Sequence, residues 1–146
     1  MAFVAASAGD GAGAGTWAAL LPALRARDGE RPVVLFVEDQ PMVRYTTTMH
    51  LVDAGYAVVA VASGEEALTL LHGNMRIDAL LTDLRLPGVV DGWEIAERAR
   101  RVRPDLPVIY ASAYSYVTPR QVEGSIMLDK PYPPEALLDA LDTLLD

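Results

Sequence analysis

Apolar and polar positions follow two rhythms along this chain, and the rhythms alternate. Val33–Val37 is a short apolar run rich in β-branched residues, as in a strand buried on both faces. Glu38, Asp39, Gln40 and Pro41 follow at once, and Pro41 suits the first turn of a helix. Val43, Met49, Leu51 and Val52 give residues 42–54 their apolar positions, and Gly55 predicts the end of that helix. Residues 56–62 predict a second strand. Ser63 stands three residues before Glu66, the spacing of a capping box, so a helix is predicted from there to about His72. Gly73 and Asn74 stop it. The same reasoning gives a strand over 77–82 that ends at Asp83, a loop over 87–92 and a helix over 93–102. A strand over 107–111, a weakly patterned helix over 115–122 carrying Pro119, and a short strand over 125–128 come next. The last helix opens at Pro133 or Pro134, with Leu137, Leu138, Leu141, Leu144 and Leu145 on its apolar side. Five strands alternating with five helices predict an α/β fold, a doubly wound parallel sheet covered on both faces.

The residues before Val33 do not share this pattern. Residues 5–15 are almost only Ala, Gly and Ser, which cannot bury a core. Trp17, Leu20, Leu21 and Leu24 then fall on one helical side, with Pro22 interrupting them. Residues 25–32 read as a linker. The chain therefore divides into a tail with a short amphipathic segment, 1–31, and a folded domain, 32–146.

Composition narrows the function. The 146 residues are 51% hydrophobic, enough for one domain with a full core. Twenty acids against 12 bases give a formal charge of −8, which argues against nucleic-acid binding, since phosphate contacts need Lys and Arg. There is no Cys, and the two His, His50 and His72, are too few for a His-built metal site. No apolar run approaches the length of a membrane span, and no basic segment precedes residues 1–8 as in a secretory signal. The expectation is a cytoplasmic protein with no membrane partner. Eleven of the bases are Arg, and the single Lys is Lys130.

In a doubly wound sheet, ligands bind beyond the carboxyl ends of the strands. The residues at those ends are Glu38, Asp39, Asp83, Ser112 and Lys130. Singly, such acids are ordinary solvated helix caps. Together, three carboxylates repel one another unless a cation sits among them, and a hard ion such as Mg2+ suits one or two carboxylates, water and a phosphate. Lys130 offers a compact positive charge and Ser112 a hydroxyl to the same phosphoryl oxygens. A carboxylate that accepts a phosphoryl group becomes an acyl phosphate.

Residues 34–39 (Val-Leu-Phe-Val-Glu-Asp), 82–88 (Thr-Asp-Leu-Arg-Leu-Pro-Gly), Asp91-Gly92, 110–114 (Tyr-Ala-Ser-Ala-Tyr) and Lys130-Pro131-Tyr132 resemble the receiver domain of two-component response regulators. The resemblance runs from about Arg31 to Asp146. It implies a flavodoxin-like sheet of order 2-1-3-4-5, with Asp83 as phosphoacceptor. It implies Mg2+ held by Glu38, Asp39, Asp83 and the backbone carbonyl of Arg85. Ser112 takes the switch-hydroxyl position, Lys130 the lysine position, and Lys130-Pro131 is expected to be cis.

The sequence departs from the family pattern in two places. Three residues, Gly88, Val89 and Val90, separate Pro87 from Asp91, one more than usual. The aromatic position three before the lysine holds Met127, which cannot offer a phenol. The 110–114 segment loosely resembles the Phe-Ala-Thr-Gly-Tyr motif of a single-domain subgroup, with Tyr114 as a substitute for the missing aromatic. Arg85 and Tyr114, two positions after Asp83 and Ser112, are expected to tune the phosphoryl lifetime.

The chain ends one helix after Lys130, so the expectation is a stand-alone regulator, not an enzyme. It would be phosphorylated on Asp83 by a sensor histidine kinase or a histidine phosphotransfer protein. It would then act on an unidentified downstream protein, as a monomer or weak dimer. A phosphate sink or phosphorelay intermediate is the alternative within signalling. An aspartate-nucleophile phosphatase would want a second acid where Arg85 stands, and in a flavin mononucleotide carrier Glu38 and Asp39 would repel the phosphate. His50 and His72 read as exposed helix residues, Trp93 as packing. Arg98, Arg100, Arg101 and Arg103 read as a solvated face or an acidic-partner patch.

Overall fold

The computed structural model describes residues 4–5, 31–113 and 120–146. The elements run β1 (Val4–Ala5), β2 (Val33–Val37), α1 (Pro41–Asp53), β3 (Ala57–Val61), α2 (Gly64–His72), β4 (Ala79–Asp83), α3 (Gly92–Val102), β5 (Val108–Ser112), β6 (Ile126–Asp129) and α4 (Pro134–Leu145). One parallel sheet has the order β1-β3-β2-β4-β5-β6. The five strands expected from the pattern are all present, in the order 2-1-3-4-5. A sixth was not foreseen: Val4–Ala5 pairs with Val58 and Val59 at the β3 edge. Two residues within an Ala-rich stretch carry no strand signal of their own. The Trp17–Leu24 segment lies outside the described residues.

The four central strands are buried at every position, because helices cover both faces. On one face Leu35, Val59, Leu80 and Tyr110 pack with Leu71 of α2 and Ile95 of α3. On the other, Phe36, Val58, Leu81 and Ile109 pack with Leu51 of α1 and Leu141 of α4.

Local signals placed most helix ends. Ser63 caps α2 as predicted: its Oγ accepts from the Glu66 N–H at 3.3 Å, while the Glu66 carboxylate accepts from that same hydroxyl at 3.0 Å. At α3 the cap is Asp91, whose Oδ1 accepts from the Glu94 N–H at 3.0 Å. Among the described residues there are four helices, where the pattern gave five. The helix expected over 115–122 falls mainly on residues 114–119, outside the described ones. Its last residues are not helical, because the Val122 N–H donates to the Tyr110 hydroxyl at 3.1 Å instead of a helix carbonyl.

The buried side of α1 also differs from its apolar pattern. Of Val43, Met49, Leu51 and Val52, only Leu51 is fully buried, and the others inside are Arg44, Thr47 and Thr48. This side of α1 faces the polar loops at the end of the sheet, and those loops offer carbonyls and a phenol.

Candidate functional site

Glu38 is the residue after β2, and Asp83 closes β4. Both strands point their carboxyl ends at one edge, so the parallel topology alone brings these acids together. Glu38 is 1% exposed and Asp83 5%, while Asp39 is open to solvent. One carboxylate oxygen from each of the three lies within 4.8 Å of the other two. Lys130, just past β6, reaches across from the other side. Its Nζ hydrogen-bonds Glu38 Oε1 at 2.9 Å and stands 2.7 Å from Asp83 Oδ1. The contact with Asp83 is a charge pairing off the hydrogen-bonding direction, so this fully buried oxygen has no aligned donor. Glu38 Oε2 accepts from the Gln40 N–H at 3.1 Å.

These distances set the electrostatics. Burial, then the hydrogen bond and charge of Glu38, push Asp83 up from 3.8 to about 8, against the opposing pull of Lys130. Burial pulls Lys130 down, but Asp83 and Glu38 outweigh it and hold the ammonium above the ordinary lysine range. One ammonium therefore does not neutralise the pocket. Two buried carboxyls side by side require a proton or a cation, and the third carboxylate and the unaligned Asp83 oxygen suit a hard divalent ion.

Ser112 ends β5, is buried, and lines the same cleft of about 810 Å3 as Asp39, Asp83, Arg85 and Lys130. Its carbonyl accepts the Lys130 N–H at 2.7 Å, which fixes the lysine loop to the strand carrying the hydroxyl. The Lys130–Pro131 bond is cis, as expected. Arg85 is exposed at the cleft rim. Tyr114 lies outside the described residues. Met127 is half-buried against the core, opposite Tyr110 in the β5–β6 register.

The extra residue in the loop after β4 is accommodated on α2. Gly88 takes a positive φ of 85°, the Val89 N–H donates to Glu65 Oε2 at 3.2 Å, and Val90 is buried over Gly64. Gly92 packs so closely on the Asp83 carbonyl that any Cβ there would collide with it.

Other expectations resolve plainly. His50 and His72 are exposed, and Trp93 packs on Tyr110 with ring centroids 5.0 Å apart. Two members of the α3 arginine cluster staple distant turns. Arg100 donates to the Leu106 and Glu123 carbonyls, and Arg103 to those of Leu71 and Gly73. Arg98 pairs with Glu94 along the helix.

Apolar periodicity missed two groups beside the site. Arg44 is buried and donates to the Glu38 and Asp39 carbonyls. Tyr132 lines the cleft together with Thr47, and burial pushes its phenol up to about 12. The usable signal was the helical spacing of Arg44, Thr47, Thr48 and Leu51, which a search restricted to hydrophobic residues skips.

Fold and site together define a doubly wound α/β domain with an acidic, lysine-faced pocket at the carboxyl edge of its sheet. The chain belongs to the response regulator receiver domain family, whose match spans residues 34–142. It is 33% identical over 116 residues to the response regulator MprA of Mycobacterium sp. (strain KMS), covering 77% of this chain and 50% of that protein. It is 30% identical over 118 residues to the transcriptional regulatory protein GlrR of Escherichia coli (strain K12), covering 77% of this chain and 26% of that one. The chain thus spans half or less of these relatives' length. Among solved structures, a response regulator receiver protein from Sinorhizobium medicae WSM419 superposes with a TM-score of 0.77 and 33% identity, over 80% of this chain and 95% of that one. The response regulator TrrA from Thermotoga maritima, in complex with Mg2+ and BeF, gives 0.71 and 27%, over 78% and 99%. The family is that of two-component signalling, and the acidic cluster fits a magnesium and phosphorylation site. No helix among the described residues is long and apolar enough to cross a membrane.

Proposed function

We propose that the chain accepts a phosphoryl group on Asp83 from a phosphohistidine donor, and that this changes its binding to a downstream protein. The observation that carries the reading is the triad of carboxylate oxygens within 4.8 Å faced by Lys130 Nζ. Glu38, Asp39, Asp83 and the Arg85 main-chain carbonyl would hold a magnesium ion, which when bound neutralises charge on the phosphoryl oxygens. An Asp83 carboxylate oxygen attacks phosphorus, and the P–N bond of the donor histidine breaks. The electron pair stays on the departing imidazole, which solvent protonates. The Lys130 ammonium and the Ser112 hydroxyl offer hydrogen bonds to phosphoryl oxygens in the acyl phosphate. Those two groups meet the phosphorylated and free states differently, as any population shift requires. The presence of beryllofluoride and Mg2+ in the TrrA structure supports the same assignment by analogy.

The test is incubation with acetyl phosphate or beryllofluoride plus Mg2+, read by intact mass and by amide spectra. Wild type gains one phosphoryl group, and Asp83→Asn gains none. Equal responses of the two overturn the reading. Arg85, on the cleft rim, is proposed to tune the phosphoryl lifetime. Arg85→Ala is expected to change the dephosphorylation rate, and an unaltered rate removes Arg85 from that role.

A further inference from the structure

We propose that Arg44 is a positioning residue for the cation site, its buried guanidinium clamping the 38–40 turn so that the Glu38 and Asp39 carboxylates stay turned toward Asp83. The inference rests on the reading of the pocket as a divalent-cation site and extends it to a residue of α1. Arg44 is 4% exposed. A buried guanidinium is costly unless its donors find acceptors, and here Nη1 donates to the Glu38 carbonyl at 2.9 Å and to the Asp39 carbonyl at 3.4 Å. Both acceptors are main-chain oxygens. The clamp therefore acts on the backbone of the two acids and leaves their carboxylates to the pocket.

The rest of the turn is set from the same side. The Arg44 N–H donates to the Gln40 carbonyl at 2.9 Å, and the Gln40 N–H donates to Glu38 Oε2. One turn further along α1, the buried Thr47 lines the same cleft as Tyr132, two residues after Lys130. One helix side thus holds the acid turn through Arg44 and borders the lysine loop at Thr47.

Electrostatics and positioning predict opposite outcomes, which makes the test decisive. A positive charge beside a cation site repels the cation, so if Arg44 acted by charge alone, its removal would tighten Mg2+ binding. If it positions the carboxylates, removal weakens binding, by roughly tenfold on the scale of groups that orient metal ligands. The experiment titrates the full chain with Mg2+ alone by calorimetry, for wild type, Arg44→Met and Arg44→Lys. Circular dichroism verifies the fold of each. The expected result is a roughly tenfold weaker Kd in both variants, with the Mg2+ concentration for half-maximal phosphorylation by acetyl phosphate rising by the same factor. Arg44→Lys keeps the charge but not the fork, and carries the test if Arg44→Met fails to fold. Unchanged or tighter binding in the folded variants overturns the proposal while leaving the site reading intact. A wild type that binds no Mg2+ overturns both.

Discussion

The inner wall of the pocket, Glu38, Asp39 and Asp83, stands on β2 and β4, strands buried at every position and paired to neighbours on both sides. The outer wall is Lys130, just past β6, a four-residue edge strand only partly buried along its length, and it faces Ser112 at the end of the fully buried β5. The inner wall is therefore fixed by ladder hydrogen bonds and core packing. The outer one is paired on one side only, to β5, and adds individual polar ties: Lys130 N–H to the Ser112 carbonyl, Val122 N–H to the Tyr110 hydroxyl, Arg100 to the Glu123 carbonyl and Arg120 to Glu97. A pocket that presents acids reproducibly and, as proposed, responds to a phosphoryl group gains from this asymmetry. Its acid-bearing side is stiff, and its ammonium-bearing side adjusts at the cost of single hydrogen bonds.

The inner wall is the place where substitution costs most. Gly92→Ala forces a Cβ into the Asp83 carbonyl, and neither the β4 end nor the α3 start, tied by Gly92 N–H to the Leu84 carbonyl at 2.9 Å, can yield. A loss of about 2–3 kcal/mol is expected, measured by denaturant unfolding. A neutral result would show that the wall is softer than its burial implies. Next comes the charge in the pocket. Asp83 is pushed from 3.8 to about 8 in the metal-free fold, so the native state binds the extra proton between about pH 4 and pH 8. Its contribution to stability is whole below that window and is lost as pH rises through it. Without metal, Asp83→Asn is expected to flatten this slope and to be more stable than wild type at pH 8, on the order of 2 kcal/mol. Thermal melts in chelator across that range decide it, and parallel profiles for the two proteins would sink the assignment.

The same asymmetry explains what the sequence made legible. The acids, Ser112 and Lys130 were readable because a parallel sheet delivers every strand end to one edge, so position in the strand order suffices. The Ser63 cap of α2 was readable because it is local. Arg44 and Thr47 were not, because a helix side that faces loop carbonyls and a phenol carries no apolar period. Arg100 and Arg103 looked like a charge run, since nothing in their spacing announces that their acceptors are carbonyls of remote turns. Val4–Ala5 lacked any strand pattern, and its partner is supplied wholly by the exposed edge of β3. Tyr110 read as part of a short motif, and its use as an acceptor for Val122 depends on an approach across 12 residues that no local pattern encodes.

The outer wall supplies the smaller effects. Tyr110→Phe keeps the buried ring against Trp93 and removes only the acceptor for the Val122 N–H. About 1 kcal/mol is expected, together with faster hydrogen exchange at Val122 and no change in Mg2+ affinity. A shift in Mg2+ affinity would show that the two walls are not separable. Arg120→Ala is expected to have the least effect. Its two contacts with Glu97, at 3.0 and 3.3 Å, have the geometry of a bidentate pair. The Arg120 side chain is 49% exposed and that of Glu97 34%, so water screens both charges and holding a long side chain in place offsets much of the gain. The expected loss is below about 0.5 kcal/mol, and added salt should reduce it further. A loss of 1 kcal/mol or more that persists in high salt would mean that this tie acts with those of Tyr110 and Arg100 as one network. The outer wall would then be nearly as stiff as the inner, and the asymmetry between them would have to be abandoned.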